Sequence, residues 1–306
     1  MAKNNLGLPY KGSKNTIAEA LVRCMPSGKN FLDACCGGGA VLEAAYLSRK
    51  YSSVTGIDID EGILLLLKAV FRDFGQIDYE HWQLRTVEDF KKAYASRKTL
   101  EDAVTRFTCS FGFNGYDYQW GEKRRKLKYL AHQSLTLPTL DGRRQAFHSF
   151  IRELIASGEV KGDKWEIALT EIKNCAHTEQ ATNLCRLQKV ESVMRASAET
   201  NPTTLEIRKA SMFEVDYDPY DVIYFDPPYA NTKGYDKSKF DFTRFRELIE
   251  SLATRGKHVF VSEYNSPSPM FSEVFKVEKQ MSQCATKTVN VTEKLFYSGV
   301  IEKLDF

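Results

Sequence analysis

Apolar residues along the first 75 positions alternate between short continuous runs and helically spaced sets. Ser13, a residue type that caps helices, precedes Ile17, Ala20, Leu21 and Cys24, which share one helical face until Pro26 to Gly28 ends the pattern. Residues 31–35 form a short apolar run that reads as a buried strand. The glycines Gly37-Gly38-Gly39 follow and open into an alanine- and leucine-rich helix over about 40–47. A second strand over 54–59 and a strongly apolar helix over 61–74 repeat the unit. This βαβα order predicts a parallel sheet flanked by helices.

The pattern changes between residues 76 and 200. Strand-like alternation is scarce there, aromatic and basic residues become frequent, and charged helical stretches fall near 143–156 and 181–199. The regular order then returns as a strand at 221–225, a helix at 242–253 and a strand at 258–262. Two further strand candidates near 274–280 and 293–298 suggest an antiparallel pair at the sheet edge. The predicted architecture is one α/β domain, built from residues 1–75 and 201–306, with a mostly helical insertion over 76–200.

Composition adjusts this picture little. At 306 residues, with 42% hydrophobic and 27% charged residues, the chain has the makeup of a globular protein rather than a disordered one. A net charge of +3 is too small to imply a nucleic-acid partner unless the basic residues cluster. The first residues lack an apolar leader, and the most apolar stretch, 63–67, is far too short to span a bilayer, so a cytoplasmic location without membrane contact is expected. Seven cysteines form an odd set without a repeating framework, which favours reduced thiols. Cys175, His177 and Cys185 are the one metal-like cluster, but they lack a CxxC pair, and no metal is expected.

Two places carry chemistry. The first is the glycine loop, which follows a strand and opens a helix. Asp58 ends the next strand 19 residues after Gly39 (58 − 39), a spacing that suits a carboxylate accepting from ribose hydroxyls. The loop is not GxGxxG, so a ligand with a ribose and no pyrophosphate fits it; a plain tight turn is the bland alternative. Cys35 and Cys36 read as small packing residues. The second place is Asp226-Pro227-Pro228-Tyr229, directly after the apolar strand. In open α/β sheets ligands bind beyond the carboxyl ends of strands. Two prolines remove two backbone donors, leaving the Asp226 carboxylate and the Pro227 carbonyl as acceptors toward one point. An amino group with two hydrogens suits two acceptors, and Tyr229 offers a flat face for a base.

These residues, in this order, resemble the Dam-like, α-group N6-adenine DNA methyltransferases, in particular phage-type members. Tyr10-Lys11-Gly12-Ser13-Lys14 looks like that family's aromatic-x-G-x-K cofactor motif, Asp33 to Gly39 like its glycine loop with Cys35 where phenylalanine is usual, and Asp226 to Tyr229 like its catalytic tetrapeptide. Ser262-Glu263-Tyr264-Asn265 and Glu293-Lys294-Leu295-Phe296 are similar to blocks of phage-type members. The likeness covers most of 7–75 and 205–300; Met212-Phe213 stands where the family often has an acid-aromatic pair. It implies a Rossmann-like S-adenosylmethionine-dependent methyltransferase sheet with an inserted target-recognition domain. It also implies S-adenosyl-L-methionine held by Tyr10, Lys14, Asp33, Ala34, Cys35, Gly37, Gly39, Asp58, Ile59, Met212, Phe213 and Asp226. Direct methyl transfer to a flipped adenine, with Asp226, Pro227, Pro228 and Tyr229 as catalytic residues, is the implied reaction.

Double-stranded DNA is the expected partner, and a cognate restriction endonuclease is compatible with the family. The central segment supplies the candidate DNA contacts: Asn114, Tyr116, Tyr118 and Trp120, then Lys123, Arg124, Arg125, Lys126 and Lys128, with Arg143, Arg144, Lys233 and Tyr235 further along. Basic residues neutralise phosphates and aromatics stack on bases. A solvated helix face behind an aromatic mini-core is the alternative for this stretch. RNA adenine methylation, or DNA binding without catalysis, are the competing functional readings.

Overall fold

The computed structural model describes residues 6–80, 83–156, 179–228, 240–284 and 287–299. Among them β1 (Gly28–Asp33), β2 (Tyr51–Asp58), β3 (Thr204–Lys209), β4 (Val222–Phe225), β5 (His258–Glu263), β6 (Ser272–Cys284) and β7 (Lys287–Tyr297) form one seven-stranded sheet in the order β3-β2-β1-β4-β5-β7-β6. The first five strands are mutually parallel; β7 runs antiparallel to both β5 and β6, as the edge hairpin expected from the sequence. Every residue of Val222–Phe225 is buried, which is why this central strand reads as an unbroken apolar run. Strand order turns outward in opposite directions from β1 and β4, so a crevice opens beyond their carboxyl ends, at Asp33 and Asp226. The molecule is thus α/β with a mostly parallel sheet, compatible with a Rossmann-like fold.

Helices α1 (Ala18–Arg23), α2 (Ala40–Ser48) and α3 (Glu61–Phe71) belong to the first half, and α9 (Phe242–Thr254) links β4 to β5. Ser13 does not cap α1: its hydroxyl is buried without a partner among the described residues, and Ile17 holds the N-cap position. The carbonyl of Lys14 accepts from the Ile17 and Ala18 amides at 2.9 and 2.8 Å. A turn therefore precedes the helix, and it frees the Lys14 side chain to reach elsewhere. The edge strand β3 carries no sequence signal because only Ile207 among its residues is buried.

Between β2 and β3 the chain is helical: α4 (Val87–Ser96), α5 (Leu100–Thr108), α6 (Glu122–Thr136), α7 (Leu140–Ala156) and α8 (Glu179–Ala198). Thr86 with Asp89 and Thr99 with Asp102 close full capping boxes at α4 and α5. Within 76–200, two parts behave differently. Val104 and Phe107 of α5, and Leu187 and Met194 of α8, share one core with Leu42, Leu66 and Phe71. Only α6 and α7 pack on a small core of their own, made by Leu127, Ala131, Phe150 and Leu154. No helix among the described residues is long and apolar enough to cross a membrane.

Candidate functional site

The N-terminal segment builds one wall of the crevice. The Leu8 amide donates to the Gly38 carbonyl at 2.7 Å, and the Gly7 amide donates to Glu43 at 2.5 Å. A Cβ on Gly7 would stand 2.7 Å from the Ala40 nitrogen, so this backbone lies directly on the first turn of α2. Tyr10 fills the hollow of the glycine loop: a Cβ on Gly37, whose φ is +45°, would meet the Tyr10 ring at 2.8 Å. The glycines therefore serve close packing of an aromatic ring.

Lys14 emerges from this segment into the crevice and is 4% exposed. Its ammonium donates to both carboxylate oxygens of Asp226, at 2.8 and 2.6 Å, and to the Gly12 carbonyl at 3.2 Å. Glu293, buried on β7, lies 3.8 Å from the same nitrogen. Burial opposes the charge on Lys14, but the Asp226 and Glu293 carboxylates outweigh it and hold its pKa above the usual lysine value. The link between positions 14 and 226 carries no spacing signal in the sequence. Glu293 stands in the sequence only as part of the Glu293-Lys294-Leu295-Phe296 block, with no sign that it meets Lys14.

Beside this pair, Asp33 ends β1 fully buried, and its Oδ1 has no partner among the described residues. Burial first, then the nearby Asp226 and Asp58, push its pKa well above the carboxylate range. Asp58 ends β2 and staples the loop: one oxygen accepts from the Gly37 amide and the other from the Asp60 amide, each at 2.9 Å. Burial raises its pKa, with these amides opposing. Ala34 is buried, and Cys35 reaches Met212, sulfur to sulfur, at 4.0 Å. Phe213 packs against Phe240 with ring centroids 6.0 Å apart. Ile59 is 71% exposed at the lip of β2, an apolar surface open to a ligand. The structure thus gathers Tyr10, Lys14, Asp33, Cys35, Gly37, Asp58 and Asp226 about one crevice. Pro227 is buried and Pro228 half-buried; Tyr229, Lys233 and Tyr235 lie outside the described residues. No family model matches this chain, and no curated protein matches it significantly.

The central aromatic and basic residues separate into exposed and buried sets. Asn114 caps a turn, its side-chain oxygen accepting from the Tyr116 and Asp117 amides at 2.8 and 3.0 Å, and Tyr116 is exposed. The Tyr118 hydroxyl donates inward to the Arg85 carbonyl at 2.7 Å. Trp120 and Lys128 do not face solvent: both are 6% exposed, with the ammonium 5.1 Å from the indole centroid. Helical spacing explains the correction, since Lys128 lies one turn before the buried Ala131 on α6. Lys126 pairs with Glu153 at 2.5 Å. Arg124 and Arg144 are exposed, and Arg125 and Arg143 half-exposed; the side chain of Lys123 lies outside the described residues. Cys175 and His177 are likewise outside, and no metal-binding cluster occurs among the described residues.

Proposed function

We propose that this chain transfers a methyl group from S-adenosylmethionine to the exocyclic amino group of adenine in double-stranded DNA. The charge of the crevice carries the reading. The carboxylates of Asp226 and Glu293 flank the ammonium of Lys14, and the acids of Asp33 and Asp58, both pushed toward the neutral form by burial, lie beside them. A pyrophosphate gains little from a crevice whose ammonium is already matched by Asp226 and Glu293, and the first turn of α2, where a dinucleotide fold seats its phosphates, lies under the Gly7 backbone. A cationic nucleoside with a ribose and no phosphate fits the same residues. Asp33 Oδ1 awaits a donor, Asp58 keeps lone pairs beyond its two amide bonds, and Ile59, Met212 and Phe213 offer apolar surface.

S-adenosylmethionine supplies a methyl group on a positively charged sulfur. The protein's task is to present a weak nucleophile to it. Asp226 and the Pro227 carbonyl accept the two amino hydrogens of adenine, which directs the nitrogen lone pair outward. Lys14 donates to both oxygens of the Asp226 carboxylate, which fixes its orientation toward the substrate. The adenine must leave the helix at a cost of a few kcal/mol, offset by stacking on Tyr229.

The test is incubation with labelled S-adenosylmethionine and unmethylated duplex DNA, with RNA as competitor. N6-methyladenine in DNA is the expected product. Asp226→Ala should retain cofactor binding while turnover falls at least ~100-fold. Transfer to RNA alone would move the substrate assignment, and transfer to neither would refute the reading.

A further inference from the structure

A single buried arginine joins the cofactor side of the crevice to the aromatic loop over 110–117. Arg106 of α5 is 1% exposed. Its Nη2 donates to Asp60 Oδ2 at 3.4 Å and its Nε to the Gly115 carbonyl at 3.4 Å, while Nη1 has no partner among the described residues. Asp60 is in turn tied by its amide to Asp58 at 2.9 Å, and Asp58 to the Gly37 amide at 2.9 Å. Gly115 is tied by its amide to the Ser110 hydroxyl at 2.9 Å. An unbroken series of contacts thus runs from the glycine loop through Asp58, Asp60 and Arg106 to the 110–117 loop.

The two ends of this series are unlike. Asp58 and Asp60 lie where a ribose-bearing ligand is proposed to sit. The 110–117 loop exposes Phe111 and Tyr116 and holds Phe113 at φ +58°, a left-handed conformation that a bulky residue adopts at a cost. The loop also rests on the N-terminal wall, with the Lys11 amide donating to the Phe113 carbonyl at 3.2 Å. Arg106 is the slack member between them. A buried guanidinium with two bonds at the long limit and one nitrogen unmet gains from a small shift of either neighbour.

Resting on the methyltransferase reading, we propose that Arg106 is a positioning residue through which filling of the Asp58 side of the crevice sets the placement of the 110–117 loop on DNA. A ligand hydroxyl that bonds Asp58 moves the 58–60 turn, and Asp60 carries Arg106 and the Gly115 carbonyl with it. Linkage is reciprocal, so DNA on the loop tightens the cofactor by the same factor that the cofactor tightens DNA.

The experiment measures S-adenosylhomocysteine affinity by calorimetry with and without the duplex that the wild-type chain methylates. A coupling of about tenfold is expected, within the usual range of about 5- to 150-fold. Arg106→Met should reduce it to less than twofold with cofactor affinity in the absence of DNA little changed. Because loss of a buried arginine alone can unfold the chain, Gly62→Ala is the second variant. Its Cβ would lie 2.5 Å from Arg106 Nη1, so it displaces the guanidinium while leaving Arg106 itself in place. Coupling that survives in a folded Gly62→Ala or Arg106→Met protein would overturn this inference and leave the methyltransferase reading intact. A wild-type chain that binds no cofactor would overturn both.

Discussion

Lys14→Met isolates the buried ion pair at the centre of the crevice. The ammonium is 4% exposed and Asp226 20%, so the pair is well shielded from solvent. Removing one partner of a buried pair costs about 3–5 kcal/mol, because the other charge is left uncompensated. Here two acids lose their cation, since Glu293 lies 3.8 Å from the same nitrogen. At about 2 °C per kcal/mol for a chain of this size, melting should fall by roughly 6–10 °C at pH 8. The pH dependence has a defined sign. The raised Lys14 pKa means that its contribution is fully present below the unfolded lysine value of 10.5 and is lost only in strongly alkaline solution. In the variant the two carboxylates lack the ammonium, so stability should recover as pH falls and they take up protons. Calorimetric melting of wild type, Lys14→Met, Asp226→Asn and the double variant completes the cycle. The double variant should melt above Lys14→Met, because no unbalanced charge remains between positions 14 and 226. Strictly additive losses, or a Lys14→Met melting point within about 2 °C of wild type, would refute the reasoning.

Other positions give sharper contrasts between similar residues. Burial pushes the Glu43 carboxyl up to about 7, against the Gly7 amide and Arg186, which pull it down. A raised carboxyl pKa loses stability as pH climbs from its unfolded value of 4.5 through 7, by about 3 kcal/mol in all. Glu43→Gln keeps an acceptor for Gly7 and should flatten this slope, leaving the variant more stable than wild type at pH 8 in denaturant titrations. Arg124→Ala with Arg144→Ala should leave melting unchanged and lower the salt slope of DNA binding by about 0.9 for each phosphate that is no longer neutralised. Lys128→Ala should do the reverse, lowering the melting temperature with no change in salt slope; a lowered slope would place Lys128 on DNA instead of beneath the indole of Trp120.

The legible and illegible parts of this chain divide along sequence distance. The β1–α2–β2–α3 order and the β4–α9–β5 order are readable because buried parallel strands and their helices repeat a strong local pattern. The acid after β2 and the acid after β4 follow from the same logic, since each directly ends a predicted strand. What escapes a reading of the sequence lies in contacts between distant segments. Lys14 meets Asp226 across 212 residues, and no local pattern announces it. Glu293 meets Lys14 only because β7 inserts between β5 and β6, an order that adjacency in the chain does not favour. Arg106 has the look of an ordinary polar residue on a charged helix, and Trp120 and Lys128 that of surface groups. Their burial depends on how α5 and α6 pack, which periodicity leaves open when a helix is polar on most faces.

Much of the crevice hangs on the nine residues from Leu6 to Lys14. Their backbone covers the first turn of α2, Tyr10 fills the glycine loop, Lys11 braces Phe113, and Lys14 balances Asp226. A segment of this length without helix or strand has no core of its own, so its fixed course comes from the groups it meets. Two of those groups are acids, Glu43, buried at one end, and Asp226, partly buried at the other. Each is costly to bury alone and gains a hydrogen-bond donor once the segment is in place. Burial of the acids therefore favours a closed N-terminal wall over an open one. The same wall takes up the space a pyrophosphate needs and leaves the Asp33, Asp58 and Ile59 side available. The proposed preference for a cationic, phosphate-free cofactor would thus rest on the Leu6–Lys14 segment as much as on the acids that end the strands.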